Sequence, residues 1–227
     1  MKKATIALVI FFALASQAKA DIIDVMRATC RIYVHPTETE EKGGLGTGVV
    51  FKETKNEILI LTAGHVVYKR DKIEVEFFTN GRVSHSMKAK SVWINFTDGT
   101  TDDLAVLSVK KTLFKRYPLP KPIPLASKNR KFKLLEQIIS SGCPDGSWPT
   151  VWLGHIYRIE WDSIYFWPTP IGGRSGSGVF DIKGKEIIGI LIWNLDSDDD
   201  GIPDAGGVAI SIEDIHKQME SYKKQLN

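Results

Sequence analysis

The sequence predicts an all-β chain built as two small antiparallel barrels or sandwiches, and three observations carry that reading. Short runs rich in Val, Ile, Phe, Trp and Tyr recur along the chain, broken at short intervals by Gly, Asp, Asn or Lys. A stretch rich in Pro and Lys divides these runs into two equal sets. Helical periodicity is confined to the C-terminus.

Residues 1–20 stand apart from the fold. Lys2 and Lys3 precede an uncharged apolar run over 4–15, and Ala18-Lys19-Ala20 is a small-x-small cleavage site. This is the pattern of a secretory signal peptide, with Asp21 as the first mature residue. The run is too short to cross a bilayer, and no later segment is apolar enough to do so. Secretion or a periplasmic location is therefore expected, with no membrane span after cleavage.

The first set of strands is expected at 30–34, 48–52, 57–62, 72–78, 87–94 and 104–109, within a half spanning 21–115. The second is expected at 134–140, 150–159, 163–167, 177–182, 186–193 and 207–211, within a half spanning 116–227. Between them, Lys110 to Lys133 interleaves nine basic residues with Pro118, Pro120, Pro122 and Pro124, and reads as a solvated connection. One helix closes the chain. Ser211 is its expected N-cap, Asp214 follows three residues on, and Ile212, Ile215 and Met219 share a face suited to packing on the second half.

The formal net charge of +3, to which Lys2 and Lys3 contribute, makes no electrostatic case for a nucleic-acid partner. Two cysteines, Cys30 and Cys143, lack the spacing of a zinc or redox motif. In an exported chain they are either one disulfide or two buried thiols, and sequence leaves both open. Oligomeric state is equally open.

Three short segments carry chemistry. Thr62-Ala-Gly-His65 supplies a base, Asp103-Leu-Ala-Val-Leu107 a carboxylate, and Gly173-Arg-Ser-Gly-Ser-Gly178 a serine in a glycine-rich turn. A serine hydroxyl is too weakly acidic to attack an amide unaided, so it needs a base and a group that orients the base. The order His, Asp, Ser differs from the Asp, His, Ser of subtilisin-like chains and the Ser, Asp, His of α/β-hydrolases. His35, His85, His155 and His216 stand in no such company and read as ordinary structural histidines.

These segments resemble the trypsin-like serine proteases, and within them the secreted bacterial DegP/HtrA-type branch. Gly46-Thr-Gly-Val-Val-Phe51 is similar to the family's second strand, Gly142-Cys-Pro144 to a turn of the DegP-like branch, and Gly189-Ile-Leu-Ile-Trp-Asn194 to the substrate-binding strand. The resemblance implies the chymotrypsin fold: two antiparallel six-stranded β-barrels with a C-terminal α-helix and the active site between them. It implies Ser175 as nucleophile, His65 as general base and acid, and Asp103, in preference to the neighbouring Asp102, as the residue orienting His65. The backbone N–H groups of Gly173 and Ser175 would form the oxyanion hole. No PDZ domain is expected before the chain ends at Asn227.

One departure from the family pattern is notable. Trypsin-type zymogens carry Asp before the serine, to pair with a newly cut N-terminus; Arg174 stands there and cannot make that pair. Activation by a new N-terminus is therefore not expected.

The resemblance also implies a primary pocket floored by Thr169 and a substrate strand pairing beside Ile192 and Asn194, with Trp193 as an apolar wall. A neutral floor argues for a small or medium apolar residue before the cut. The segment Asp196-Ser-Asp-Asp-Asp-Gly-Ile-Pro-Asp204 starts like a calcium loop, with Asp196, Asp198, Asp200 and Asp204 as ligands, although Gly207 stands where a bidentate Glu would close it. No cofactor is required for the triad's chemistry, and calcium is an optional addition. The expected function is a secreted or periplasmic serine endopeptidase acting on protein or peptide through an acyl-enzyme. The alternative from another class is a catalytically silent binding module of the same fold, with calcium as a possible requirement, and an esterase is a third reading.

Overall fold

A computed structural model describes residues 22–38, 42–79, 81–195 and 205–225. A short helix, α1 (22–28), leads into the first strand and buries Val25 and Ala28. The first half then runs β1 (Thr29–Val34), β2 (Gly44–Glu53), β3 (Glu57–Thr62), the single-turn α2 (Gly64–Val67), β4 (Ile73–Thr79), β5 (Arg82–Val83), β6 (Met87–Phe96) and β7 (Asp103–Lys110). The sheet order is β1-β2-β3-β7-β6-β4-β5, and β1 also pairs with β4. That last pairing, Cys30 opposite Phe77 through Val34 opposite Ile73, closes six strands into a barrel and leaves β5 as a hairpin extension.

The second half contains β8 (Gln137–Gly142), β9 (Thr150–Ile159), β10 (Ser163–Trp167), β11 (Gly178–Asp181), β12 (Ile187–Leu195) and β13 (Gly206–Ser211). These close in the order β10-β13-β12-β11-β8-β9. Both barrels are antiparallel throughout, so the two six-stranded barrels and the C-terminal helix α3 (Ile212–Gln225) are as the sequence predicts.

The strand patterns follow exposure. In β4, Ile73, Val75 and Phe77 point into the barrel while Glu74, Glu76 and Phe78 point outward, a period of two with one wet face. In β7 every residue from Asp103 to Val109 is buried, because this strand is covered on both faces. Phe77, Ile32, Ile58 and Leu107 fill the first barrel, and Phe166, Phe180 and Ile138 the second.

Three expectations need correction. The terminal helix is not alone: α1 and α2 precede it, and both are too short for a 3.6-residue period to register in sequence. The Pro/Lys stretch is not merely solvated. Ile123 and Ala126 are buried, Ile123 N–H donates to Val50 O, and Ala126 N–H donates to Ile187 O, so the connection is pinned to both barrels. The terminal helix serves both barrels as well. Ser211 Oγ accepts the Asp214 N–H at 3.3 Å, as an N-cap should. Further along, Gln218 Nε2 donates to Thr101 O at 2.9 Å, and Tyr222 stacks obliquely on Trp93 of the first barrel. Cys30 and Cys143 are free and buried, which answers the question of pairing. Among the described residues no helix is long and apolar enough to cross a membrane.

Candidate active site

His65 stands in the one-turn helix α2, immediately after β3, and Asp103 is the first residue of β7, the strand paired with β3. Adjacent strand ends therefore bring base and carboxylate together. Asp103 is fully buried and uses both oxygens on the same partner: Oδ1 accepts the His65 backbone N–H at 2.7 Å, and Oδ2 lies 2.7 Å from Nδ1. One contact fixes the turn, the other the ring. With Nδ1–H committed to the carboxylate, the Nε2 lone pair is left to act as a base. The His65 side chain is about a third exposed, so part of the ring is open to solvent. The neighbouring Asp102 is exposed and accepts from Asn95 Nδ2, as a bystander would.

Ser175 lies in the loop between β10 and β11, in the other barrel. The loop leans on the first barrel. Thr47 N–H donates to Ser175 O at 2.8 Å, and a Cβ built on Gly176 would lie 2.1 Å from Thr47 O and 2.9 Å from Ala63 N, two residues before His65. With φ of +86°, Gly176 also holds a conformation that disfavours a side chain. Only glycine allows the serine turn to approach the histidine turn this closely. The structure joins His65 and Asp103 directly. No hydrogen bond links Ser175 Oγ to His65; such contacts commonly tighten only with substrate.

The backbone around Ser175 has a second property. Gly173 adopts φ of +82°, and Gly172 O accepts the Asp145 N–H at 2.8 Å. Carbonyl and N–H point oppositely across a trans peptide, so the Gly173 N–H faces away from Asp145. Among the described residues neither Gly173 N–H nor Ser175 N–H has an acceptor. Two unpartnered donors, the serine's own and one two residues before it, are the kind of pair a developing oxyanion would use.

Thr169 is half-buried, and its Oγ1 accepts the Gly206 N–H at 2.9 Å. Ile192 is buried on β12, while Trp193 and Asn194 are half-buried and pair with Val208 and Gly207 of β13. On its opposite edge β12 pairs with β11 only as far as Ile190, and Leu191 bonds to Gly176 and Ser177. Beyond Leu191 that edge has no strand partner among the described residues. Asp196, Asp198, Asp200 and Asp204 lie outside the described residues, as does the signal segment 1–20. No group of three or more His, Cys, Asp or Glu capable of holding a metal occurs among the described residues.

Sequence reasoning missed two supports. Thr47 is fully buried, donates from Oγ1 to Gly173 O at 3.0 Å and accepts the Cys143 N–H at 2.9 Å. Arg174 is 97% buried rather than solvated, which could not be read from its charge. Burial pushes its pKa down to about 10, and pushes the Cys143 thiol up to about 11.

The trypsin-like peptidase domain family matches residues 46–190. The chain belongs to this family. Its fold is shared with solved structures of serine proteases. The HtrA-type protease AlgW with tripeptide is 23% identical at a TM-score of 0.68, covering 90% of this chain and 62% of that one. The serine endoprotease from Yersinia pestis is 25% identical at a TM-score of 0.67, covering 90% and 65%. The active form of the Rv3671c protease from M. tuberculosis is 17% identical at 0.66, covering 88% and 82%. The chain thus spans less than two thirds of the length of the first two. No curated protein sequence matches it.

Proposed function

We propose that this trypsin-like peptidase is an exported serine endopeptidase, secreted or periplasmic, whose triad is Ser175, His65 and Asp103. The observation that carries the reading is the Asp103 carboxylate bonded to both the backbone and ring of His65, with the Ser175 loop packed two residues away. Ser175 Oγ attacks the scissile carbonyl as its proton passes to His65 Nε2, and the carbonyl oxygen becomes an oxyanion facing the N–H groups of Gly173 and Ser175. His65 then gives that proton to the leaving amine, and the C–N bond breaks to leave an acyl-enzyme ester on Ser175. Water, deprotonated by His65, attacks the ester. Its collapse releases the acid and returns the proton to Ser175. Asp103 stabilises the imidazolium in both halves of the reaction.

The open edge of β12 at Ile192–Asn194 supports binding of the substrate as an added strand, with Trp193 as an apolar wall. The neutral Thr169, already engaged by Gly206, supports a small or medium apolar residue before the cut. The Lys2/Lys3 start, the apolar run and the Ala18–Ala20 site support export. The triad draws every group from the chain itself, so this reading requires no cofactor. Calcium at Asp196, Asp198, Asp200 and Asp204 is a separate proposal, supported by their spacing and tested by whether calcium raises Tm over EDTA.

The silent binding module stays as the second reading, because Ser175 Oγ and His65 are not hydrogen-bonded and Arg174 is unusual before the nucleophile. Labelling of residues 21–227 with a fluorophosphonate decides between them. Labelling of the wild type but not of Ser175→Ala is expected. A folded wild type that takes up no label would sink the endopeptidase reading.

A further inference from the structure

The loop that presents Ser175 has every carbonyl from Gly172 to Ser175 tied down. Gly172 O accepts from Asp145 N–H at 2.8 Å, Gly173 O from Thr47 Oγ1 at 3.0 Å, Arg174 O from Ser177 N–H at 2.8 Å, and Ser175 O from Thr47 N–H at 2.8 Å. A peptide group whose carbonyl is held cannot flip, so the N–H on its other side keeps its direction. The Gly172 and Arg174 carbonyls thereby fix the peptides that carry the Gly173 and Ser175 N–H groups, while Thr47, from the first barrel, holds the peptide between those two through its hydroxyl and the one after them through its backbone. The same hydroxyl accepts the Cys143 N–H, so both its hydrogen-bonding roles are used inside a fully buried site.

Arg174 holds the loop from the other side. It sits between the two free N–H groups with its side chain turned inward and 3% exposed. Nη2 donates to Thr150 O at 2.9 Å and also to Thr150 Oγ1 on β9, and the guanidinium lies over the Trp152 ring at 5.5 Å. Its Nη1 is buried without a hydrogen-bond partner, and no carboxylate forms a salt bridge with it among the described residues. For stability alone this is a poor use of the space. A buried cation lacking a counter-ion costs free energy that an apolar side chain of similar volume would avoid. What the guanidinium supplies is direction, through two hydrogen bonds to one residue of a rigid strand.

We propose that Thr47 and Arg174 are positioning residues that keep the Gly173 and Ser175 N–H groups aimed for oxyanion binding, without an N-terminal ion pair. This rests on the reading of Ser175 as nucleophile. Neither residue touches substrate; each acts through the backbone of the loop.

The test separates positioning from mere structure by following kcat, KM, inhibition by a peptide aldehyde and Tm together. Thr47→Val keeps the shape and removes both hydroxyl bonds. It should lower kcat by roughly 10- to 100-fold, less than the loss of an oxyanion donor itself, with KM nearly unchanged. Aldehyde affinity should fall in parallel, and Thr47→Ser should restore most of both. Arg174→Met should raise Tm or leave it unchanged while lowering kcat about 10-fold, with partial recovery in Arg174→Lys. The proposal is overturned if either Thr47→Val or Arg174→Met, shown to be folded, keeps wild-type kcat and aldehyde affinity. It is equally overturned if kcat falls only in proportion to a loss of folded protein. Should Thr47→Val not fold, Arg174→Met carries the test. A wild type inactive on peptides and unlabelled by fluorophosphonate would instead count against the endopeptidase reading.

Discussion

The two barrels equip the site by different means. The first presents side chains: His65 and Asp103 come from adjacent strand ends and hold each other through two 2.7 Å contacts inside one barrel. The second presents mainly backbone: a serine whose own N–H and that of Gly173 have no acceptor among the described residues, in a loop tied to Thr47 of the other barrel. His65 and Asp103 are thus a local product of one sheet, whereas the Ser175 loop depends on barrel–barrel contact. Replacing a side chain of the site should disturb chemistry more than the fold; distorting the backbone of the Ser175 loop should disturb both.

The sharpest test of that contrast compares the proposed nucleophile with the carboxylate proposed to orient His65. Ser175→Ala should reduce kcat by about 10⁴-fold or more with Tm unchanged, measured on a peptide substrate and by thermal melting. Asp103→Asn should come next, with a fall of roughly 10³- to 10⁴-fold. The amide can still accept the His65 backbone N–H, but it no longer favours the Nδ1–H tautomer or stabilises the imidazolium. A large loss of stability in Ser175→Ala would break the proposed division of labour.

A pair of glycine substitutions sharpens it further. Gly176→Ala should cost about 3 kcal/mol or more in denaturant unfolding, since φ is +86° and the new Cβ would lie 2.1 Å from Thr47 O. Gly64→Ala, beside His65, should cost less. Its nearest contacts would be 2.9 Å from Asn95 O and 3.2 Å from Asp103 Oδ1, and its φ is not positive. The second should nonetheless lower kcat by displacing the carboxylate.

The smallest expected effect is alkaline. Burial holds the Cys143 thiol protonated up to about 11, above its ordinary value of 9.0, and raises Cys30 well above that value too. A raised thiol stabilises the fold below its unfolded pKa, and that contribution is lost as pH rises through the folded value. Between about pH 8.5 and about pH 10 the unfolded chain sheds these protons first, so stability should fall by up to about 1.4 kcal/mol per thiol per pH unit. Equilibrium unfolding across the window should show a decline that Cys143→Ala makes shallower and a Cys30→Ala/Cys143→Ala pair reduces further, the remainder coming from Tyr33, Tyr157, Tyr165 and Tyr222, whose hydroxyls burial also raises.

Much of the architecture was legible because strands announce themselves by side-chain period and turn residues. The expected runs at 57–62, 150–159 and 163–167 coincide with β3, β9 and β10. The two-residue β5 and the one-turn α2 carry no periodicity to read. The terminal helix was legible through its Ser211 cap, but its reach to Trp93 and Thr101 depends on where the barrels sit. In the site, His65 and Asp103 were visible as residue types in motifs. Thr47 was hidden, because a threonine between two glycines looks like any strand residue until its hydroxyl is seen bridging Cys143 and Gly173.

The sequence by itself determined the all-β class, the two equal halves, the terminal helix and the order of base, carboxylate and serine, since each is written in local pattern or residue chemistry. Only the tertiary structure decided that Cys30 and Cys143 remain free thiols, that Arg174 turns inward to Thr150, and that a first-barrel threonine ties down the Ser175 loop of the second barrel. Those outcomes depend on distances between residues remote in sequence, and local pattern carries no information about such distances.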